Sequence, residues 1–560
     1  MNQTLEKALD LVTAKRLAWL IIGFGAALRA VQYFSNSAMY VDEGALALNV
    51  INRGLAGLVR PLQFNQAAPP GFLALEKVAV AALGTGEYAL RLFPFLFSLC
   101  AIALFYETAR RVLKLWAVPV ALLFFAVSEQ LIYFSAQVKQ YSGDVALTLL
   151  IVLIGLHIES KELTARRIAL LALTGGVVVW ISHPSVFTLA GVGTTLALAA
   201  LRKKQWLRLG KIASCGAFWL ASFAVFYAVS LRQLSANQRL DVSWMNKGTF
   251  MPLPPTSWSD VGWFFKAFFG MFSNPADLPF PIAAGLVFAA GCAGLFLKRK
   301  THLLMLASPL LFTLLASGLH KYPFGRRLLL FAVPLLLIIL VSGIEFIVER
   351  ARPFASIVGF AIVEVLLFQI APGVFAVPSF KRPVLFIAIS VVMAAVFVLF
   401  HRTRKSALYA CALGAVIVFC LLLQPVGGAT RSALNPPVRE DVRPVLEYVK
   451  DHRQPGDLIY VYHHHRASFL YYAPRYGFTQ DDYVLGEDER YLWDNGENQA
   501  YKRDLDELRG RRVWFVFSFV RTIAGVNEED YMTRYLSPNG SRLDGIKHAG
   551  ASAYLYDLAK

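Results

Sequence analysis

The sequence predicts an α-helical polytopic membrane protein of about thirteen spans, with interfacial helices in its first outer loop, that ends in a hydrophilic α/β domain. Three observations lead there: the residue balance, the spacing of apolar runs, and a change of pattern after residue 430. Of 560 residues, 56% are hydrophobic and only 16% charged, with a mean hydropathy of +0.51. A soluble globule of this size has too little interior for so much apolar surface, so a large share of it faces lipid.

A helix needs roughly 20 apolar residues to cross a bilayer. About thirteen runs qualify, near 15–34, 88–109, 115–133, 140–158, 167–182, 184–201, 211–231, 281–297, 302–318, 327–347, 354–372, 383–400 and 406–424. The N-terminal stretch is polar and amphipathic and lacks a small-residue cleavage site after its first apolar run, so the first span is expected to stay as an anchor. The net charge of +18 is confined to this membrane part. Residues 431–560 hold 18 Lys and Arg against 20 Asp and Glu, while residues 1–430 hold 37 against 17. Much of the excess sits in short loops, such as Arg110/Arg111/Lys114, Arg202/Lys203/Lys204/Arg208 and Lys298/Arg299/Lys300. With the chain starting inside, every such loop falls on one side, as the positive-inside bias requires. The basicity therefore sets topology, and no nucleic-acid partner is implied.

Two longer excursions fall on the other side. Within 35–87, the runs 44–58 and 70–83 have apolar residues spaced as on one helical face, and Pro69-Pro70 opens the second. Both are too short or too polar to span and are expected to lie as interfacial helices. The second excursion, 233–280, is crowded with Trp and Phe, which suits the headgroup level. The expected division is a membrane domain over 1–429 and an extracytoplasmic α/β domain over 430–560. In the latter, helical REDVRPVLEYVKDH, RASFLYY and QAYKRDLDELRG alternate with strand-like runs at 457–463, 482–486 and 512–519, which predicts a largely parallel sheet. No Gly-rich phosphate loop opens any of these helices. The five cysteines all lie in apolar segments and encode neither a disulfide framework nor a zinc site.

Candidate chemistry begins at SNSAMYVDEGALAL, residues 35–48. Asp42 reads either as a helix N-cap or as a general base placed where a lipid-borne substrate meets a water-borne one; the two roles are compatible. The other acids that could face outward are Glu76, Glu87, Glu129, Asp144, Asp241, Asp260 and Asp277, and only Asp42–Glu43 come as a pair. In YFSAQVKQYSGDV (133–145), Lys139, Tyr141 and Asp144 lie within about a turn and a half; ionisable groups at a membrane segment are functional candidates, against snorkelling or a Lys139–Asp144 pair. In SGLHKYPFGRRLLLF (317–331), His320, Lys321, Arg326 and Arg327 place cations on the side that positive-inside disfavours, which an anionic phosphate or headgroup explains. His463-His464-His465 looks like a metal site, but successive histidines at a strand end point to alternate faces. His183-Pro184 reads as a structural turn.

Taken in order, YVDEG after the first span, AAPPGFLALEKVAVAALGTGEYALRLFPFLFS (67–98), SAQVKQYSGDV, HKYPFGRRLLLF and a terminal α/β domain resemble the polyprenyl-phosphate-sugar-dependent glycosyltransferases of the GT-C class. The branch resembled holds the protein O-mannosyltransferases and the lipid A aminoarabinose transferases, and the match spans nearly the whole chain. One departure is Gln137, where relatives often carry Glu. The resemblance implies Asp42 as general base or acceptor-orienting group with Glu43 in support. It places Lys139, Lys321, Arg326 and Arg327 on the donor phosphate, with Tyr141, Asp144 and His320 as supporting residues. It implies a polyprenyl-phosphate-linked sugar donor, a glycan, lipid or protein acceptor, an inverting transfer, and an active site on the periplasmic side of the inner membrane among membrane lipids. No cofactor is assigned, and a divalent metal stays open. The rival readings are a ligase that uses a polyprenyl-diphosphate glycan and a lipid or glycan transporter. The latter fold class usually shows paired halves and midplane charges, which this sequence lacks.

Overall fold

The computed structural model describes residues 2–232, 244–245, 247–349, 359–366, 369, 406–436, 440–487, 498–523 and 525–558. The chain forms two compact units, one of Met1–Phe34, Ala68–Leu75 and Arg91–Leu434, the other of Ser35–Ala67, Glu76–Leu90 and Asn435–Lys560. The division thus runs differently from the linear one: most of the first hydrophilic excursion, 35–87, clusters with the tail.

In the first unit, nine helices among the described residues are long and apolar enough to cross a membrane, or ten if the bent pair Ala117–Val127 and Glu129–Ala136 is one span. The expected thirteen are therefore not all found. The run at 383–400 and most of 354–372 lie outside the described residues, and the helix at Ala165–Ile181 has 17 residues. Length and apolarity suffice for the others because a lipid-exposed backbone can satisfy its own N–H and C=O groups only as a helix.

The segment Arg326–Val348 is the most apolar of these spans, with a mean hydropathy of 2.6, and 94% of its apolar window is buried. An element apolar on all sides belongs in the interior. Its helix, Val333–Glu349, packs on Pro281–Lys298 through two glycines. A Cβ on Gly291 would overlap the Ile339 carbonyl, and one on Gly343 would overlap that of Val287. The two backbones touch because neither glycine carries a side chain, the device that replaces hydrophobic driving force between membrane helices.

The bend of 57° in the 117–136 pair has identifiable supports. Ending a helix at Val127 leaves carbonyls without amide partners. Buried Arg29 donates to the carbonyls of Ala126 (3.2 Å) and Phe125 (3.3 Å), and also to that of Gly25 (2.9 Å). On the far side of the break, the Asp277 carboxylate accepts from the Gln130 N–H at 2.8 Å and from the Ser128 hydroxyl at 3.1 Å. At the opposite end of Tyr141–Glu159, Arg208 donates to the carbonyls of Ile158, Glu159 and Lys161 at 2.7–3.0 Å. A cation of the topology-setting loops therefore also caps a helix C-terminus.

The second unit holds a five-stranded sheet in the order β2-β1-β3-β7-β6, with β1 Leu458–Val461, β2 Tyr483–Leu485, β3 Arg512–Ser518, β6 Ser541–His548 and β7 Ala551–Asp557; β4 Thr522–Ile523 and β5 Val526–Asn527 form a separate small hairpin. The three predicted strands pair in parallel, β1 with β2 and with β3. The sheet is mixed rather than largely parallel, because β7 joins β3 and β6 antiparallel. The β6–β7 hairpin closes at Ala549-Gly550, where Gly550 takes φ 71°. Tight hairpin turns need such left-handed residues. The core is rich in aromatics, including fully buried Trp514, Tyr460, Tyr462 and Tyr501.

The first-loop helices form as Val41–Asn52 and Pro70–Leu83. Val41–Asn52 packs against Arg466–Tyr472 of the tail, and residues 43–50 are buried.

The glycine contact makes a sharp contrast testable. Gly343→Ala forces a methyl into backbone and should destabilise the protein by about 1–3 kcal/mol, as overpacking does. Gly23→Ala, where a Cβ meets nothing within 4 Å, should be neutral or stabilising by about 0.5–1 kcal/mol. Thermal unfolding in detergent distinguishes them; equal midpoints would refute the backbone contact.

Candidate active site

The acid pair lies in the second unit. The Val41–Asn52 helix is entered through Tyr40, whose extended backbone is the N-cap, and Tyr40 O accepts from the N–H groups of Glu43 (2.8 Å) and Gly44 (2.9 Å). The Glu43 carboxylate reaches back to the Tyr40 N–H at 3.2 Å, the reciprocal arm of a capping box. Glu43 is buried, while Asp42 is half-buried in the first turn. Asp42 is therefore not the N-cap, and capping is carried by its neighbours. A carboxylate there is still favoured by the positive end of the helix dipole.

Gly44 completes the motif sterically. A Cβ on it would lie 3.0 Å from Ser468 Cα, 3.1 Å from Ser468 N and 3.2 Å from Ala467 C. The entry strand is fixed by the tail as well. The Met39 N–H donates to the Tyr472 hydroxyl at 2.9 Å, and that hydroxyl donates to Glu87 at 3.0 Å. Arg475 donates to Glu87 at 2.8 Å, and Arg443 donates to the Asn36 carbonyl at 2.9 Å. The Tyr40 ring meets Phe519 edge-on at 5.1 Å.

The cations lie in the first unit, where the geometry brings some together and leaves others apart. Residues 137–140 leave the helical path before Tyr141–Glu159, so Lys139 stands just ahead of that helix and is buried. Gly325 is extended and Arg326 has φ 52°, after which a 3-10 turn, Arg326–Ala332, leads into Val333–Glu349. The Arg327 guanidinium lies 5.8 Å from the centre of the Tyr141 ring, a cation–π distance. Arg327 and Tyr141 thus meet at the helix end that Lys139 precedes by two residues. Arg326 and Lys321 are exposed, and His320 stacks on Phe250 at 5.0 Å with a 7° tilt. The Tyr322 hydroxyl donates to Leu328 O at 2.9 Å. Burial first, then nearby Asp144 and Tyr141, push its phenol well above its usual range.

Asp144 is buried with Ser182 beside it, and one of its oxygens has no hydrogen-bond partner. Among the described residues it makes no salt bridge, so the alternative of a Lys139–Asp144 pair is not realised.

Several of the other acids singled out in the sequence have structural duties. Asp260 accepts from the Thr256 and Ser257 amides at 2.8 and 2.9 Å, which hold it below its usual range. Asp277 caps the bend, and burial pushes it up to about 6 against the pull of its Gln130 and Ser128 donors. Glu87 is taken by Arg475 and Tyr472. Glu76 is fully buried, with neither oxygen hydrogen-bonded among the described residues, and burial raises it well above the carboxylate range. Asp241 lies outside the described residues. His463–His465 form a 3-10 turn, in which buried His465 falls to about 3 and stays neutral. Burial likewise lowers His183 to about 4. No group of three or more His, Cys, Asp or Glu is arranged to hold a metal among the described residues. The tail residues Tyr472, Arg475 and Phe519 escaped the sequence reading, since nothing local marks a residue that acts on a helix 400 positions away.

Because Glu43 rather than Asp42 closes the cap, Glu43→Ala should cost about 0.5–2 kcal/mol, whereas Asp42→Asn, which gives up only the helix-dipole contribution of its charge, should cost no more than about 0.3–0.5 kcal/mol. A fall of similar size in Asp42→Asn would contradict this assignment.

No family model matches the sequence, and no curated protein matches it either. The structure is similar to that of ArnT from Cupriavidus metallidurans bound to undecaprenyl phosphate, with a TM-score of 0.50, 16% identity, and coverage of 96% of this chain and 98% of that one. The apo state of the same protein gives a TM-score of 0.46 at 15% identity, covering 96% and 97%. The archaeal oligosaccharyltransferase AglB from Archaeoglobus fulgidus, in complex with an inhibitory peptide and a dolichol-phosphate, gives 0.43 at 12% identity, covering 96% and 74%. The chain shares the overall fold of ArnT, the GT-C-like fold that its sequence predicts.

Proposed function

We propose that this protein is an integral-membrane inverting glycosyltransferase. It moves a sugar from a polyprenyl-phosphate donor to a glycan, lipid or protein acceptor on the periplasmic face of the inner membrane. The observation that carries this reading is Asp42, a half-buried carboxylate in a helix first turn whose capping is done by Tyr40 and Glu43. It is supported by the shared fold with ArnT, which was crystallised with undecaprenyl phosphate.

In this mechanism Asp42 takes the proton of the acceptor hydroxyl as its oxygen attacks the anomeric carbon. The bond from that carbon to the phosphate oxygen breaks on the opposite side, inverting the centre. The charge left on the polyprenyl phosphate is stabilised by Lys139 and Arg327, with Arg326 and Lys321 at the exposed edge. Tyr141 holds the Arg327 plane, and Glu43 supports Asp42 by fixing the first turn. Asp144 and His320 support the cation cluster.

The sugar-loaded lipid that co-purifies, identified by mass spectrometry, supplies the donor for a transfer assay. Asp42→Asn should remain folded and lose about 10²–10⁴-fold in rate. Lys139→Ala and Arg327→Ala should each weaken transfer by roughly 1.5–3 kcal/mol, the worth of a charge-assisted contact. Wild-type transfer by a folded Asp42→Asn would end the general-base reading, and wild-type transfer by both cation variants would end the phosphate assignment.

The side of the membrane has its own test. Ser541 is exposed, so a cysteine there should react with an impermeant thiol reagent on intact cells; Ser468, buried against Gly44, is unsuitable. Labelling only after permeabilisation would refute the periplasmic placement.

A further inference from the structure

We infer that the C-terminal tail is a positioning element for Asp42, acting through Phe519 and Tyr472. This rests on the general-base reading and adds what holds the base in place. Residues on both sides of Asp42 are gripped by the tail. Tyr472 takes the Met39 N–H, Phe519 takes the Tyr40 ring, and the Ala467–Ser468 backbone seats Gly44. Asp42 stands two positions from each of the anchored residues Tyr40 and Gly44 and so inherits its location from them.

Phe519 itself marks the place. It sits just past the end of β3 with φ 55°, a left-handed conformation that a bulky residue rarely adopts. Such outliers persist only where surrounding structure imposes them. Here the ring is flanked by His464 at 5.8 Å and by the Arg521 guanidinium at 5.7 Å, with Tyr40 edge-on at 5.1 Å. Glycine would fit this backbone without strain, so the aromatic ring is the feature that the position retains. Tyr472 is likewise anchored, because its hydroxyl donates to Glu87, which Arg475 holds. A displaced base costs rate rather than donor affinity, since misplacement by about an ångström can cost on the order of a hundredfold. The cations assigned to the donor phosphate belong to the other unit and are not altered by these changes.

The test compares Phe519→Gly, Phe519→Tyr, Tyr472→Phe and Asp42→Asn in proteoliposomes. A panel of undecaprenyl-phosphate mannose, glucose and aminoarabinose serves as donors and cell-envelope extract as acceptor; release of undecaprenyl phosphate is the readout. Phe519→Gly should lower kcat by about ten- to a hundredfold and Tyr472→Phe severalfold, both with the donor KM of the wild type. Phe519→Tyr, which keeps the ring, should restore most of the rate. Hydrogen exchange adds a readout independent of turnover. The Glu43 and Gly44 amides, bonded to Tyr40 O, should exchange faster in Phe519→Gly and Tyr472→Phe, while those of Tyr141–Glu159 should not change. A dead Asp42→Asn beside wild-type kcat in both tail variants overturns the positioning role alone. Unchanged exchange at Glu43 and Gly44 overturns it as well, and turnover by Asp42→Asn overturns the general-base reading beneath it.

Discussion

The first turn of the Val41–Asn52 helix can reach the tail only because residue 44 has no side chain. With the Ser468 backbone 3.0 Å from where a Cβ would be, any larger residue would push the two helices apart. That displacement would carry Glu43, Asp42 and Tyr40 with it. The acid pair, its cap and the glycine thus form one construction. Glu43 satisfies an orphan amide, Gly44 permits the approach, and Asp42 stands beside them in the first turn.

The membrane unit obeys the same logic with different partners. Where the 117–136 segment breaks, the exposed carbonyls and amides cannot turn to water, so they are met by a buried arginine on one side and a carboxylate on the other. Leaving such groups unmet would cost several kcal/mol each in hydrocarbon. The cations at the end of Tyr141–Glu159 follow from a comparable break: residues 137–140 step out of the helical path, and the 325–332 turn brings Arg327 against Tyr141. At both of these breaks the irregular backbone coincides with ionisable residues.

Much of this was legible in the sequence, because it depends on local composition. The spans follow from run length, and the basic loops follow from charge. The terminal strands at 458–461, 483–485 and 512–518 follow from short β-branched and aromatic runs. The β6–β7 hairpin is not legible from β6, because Ser541–His548 is polar and half-exposed; the buried aromatic run of β7, Ala551–Asp557, carries a strand signal that the sequence reading did not use. The mixed character of the sheet came with it. The role of Asp42 was ambiguous for another reason: one-residue shifts in helix onset decide which side chain caps, and propensity does not resolve them.

By itself, the sequence determined that the chain is a helical membrane protein with an α/β tail, and it marked which charged residues stand out of place. These are one-dimensional properties, set by hydropathy, charge and spacing. Only the tertiary structure decided which of those residues meet. It assigned the cap to Tyr40 and Glu43, joined Arg327 to Tyr141, and, among the described residues, left Asp144 without an ion pair. It also folded most of the first outer loop with the tail, through contacts such as Met39–Tyr472 and Tyr40–Phe519 that span more than 400 residues. No local pattern encodes such pairings, because each depends on the shape of a partner that the chain reaches only after it has folded.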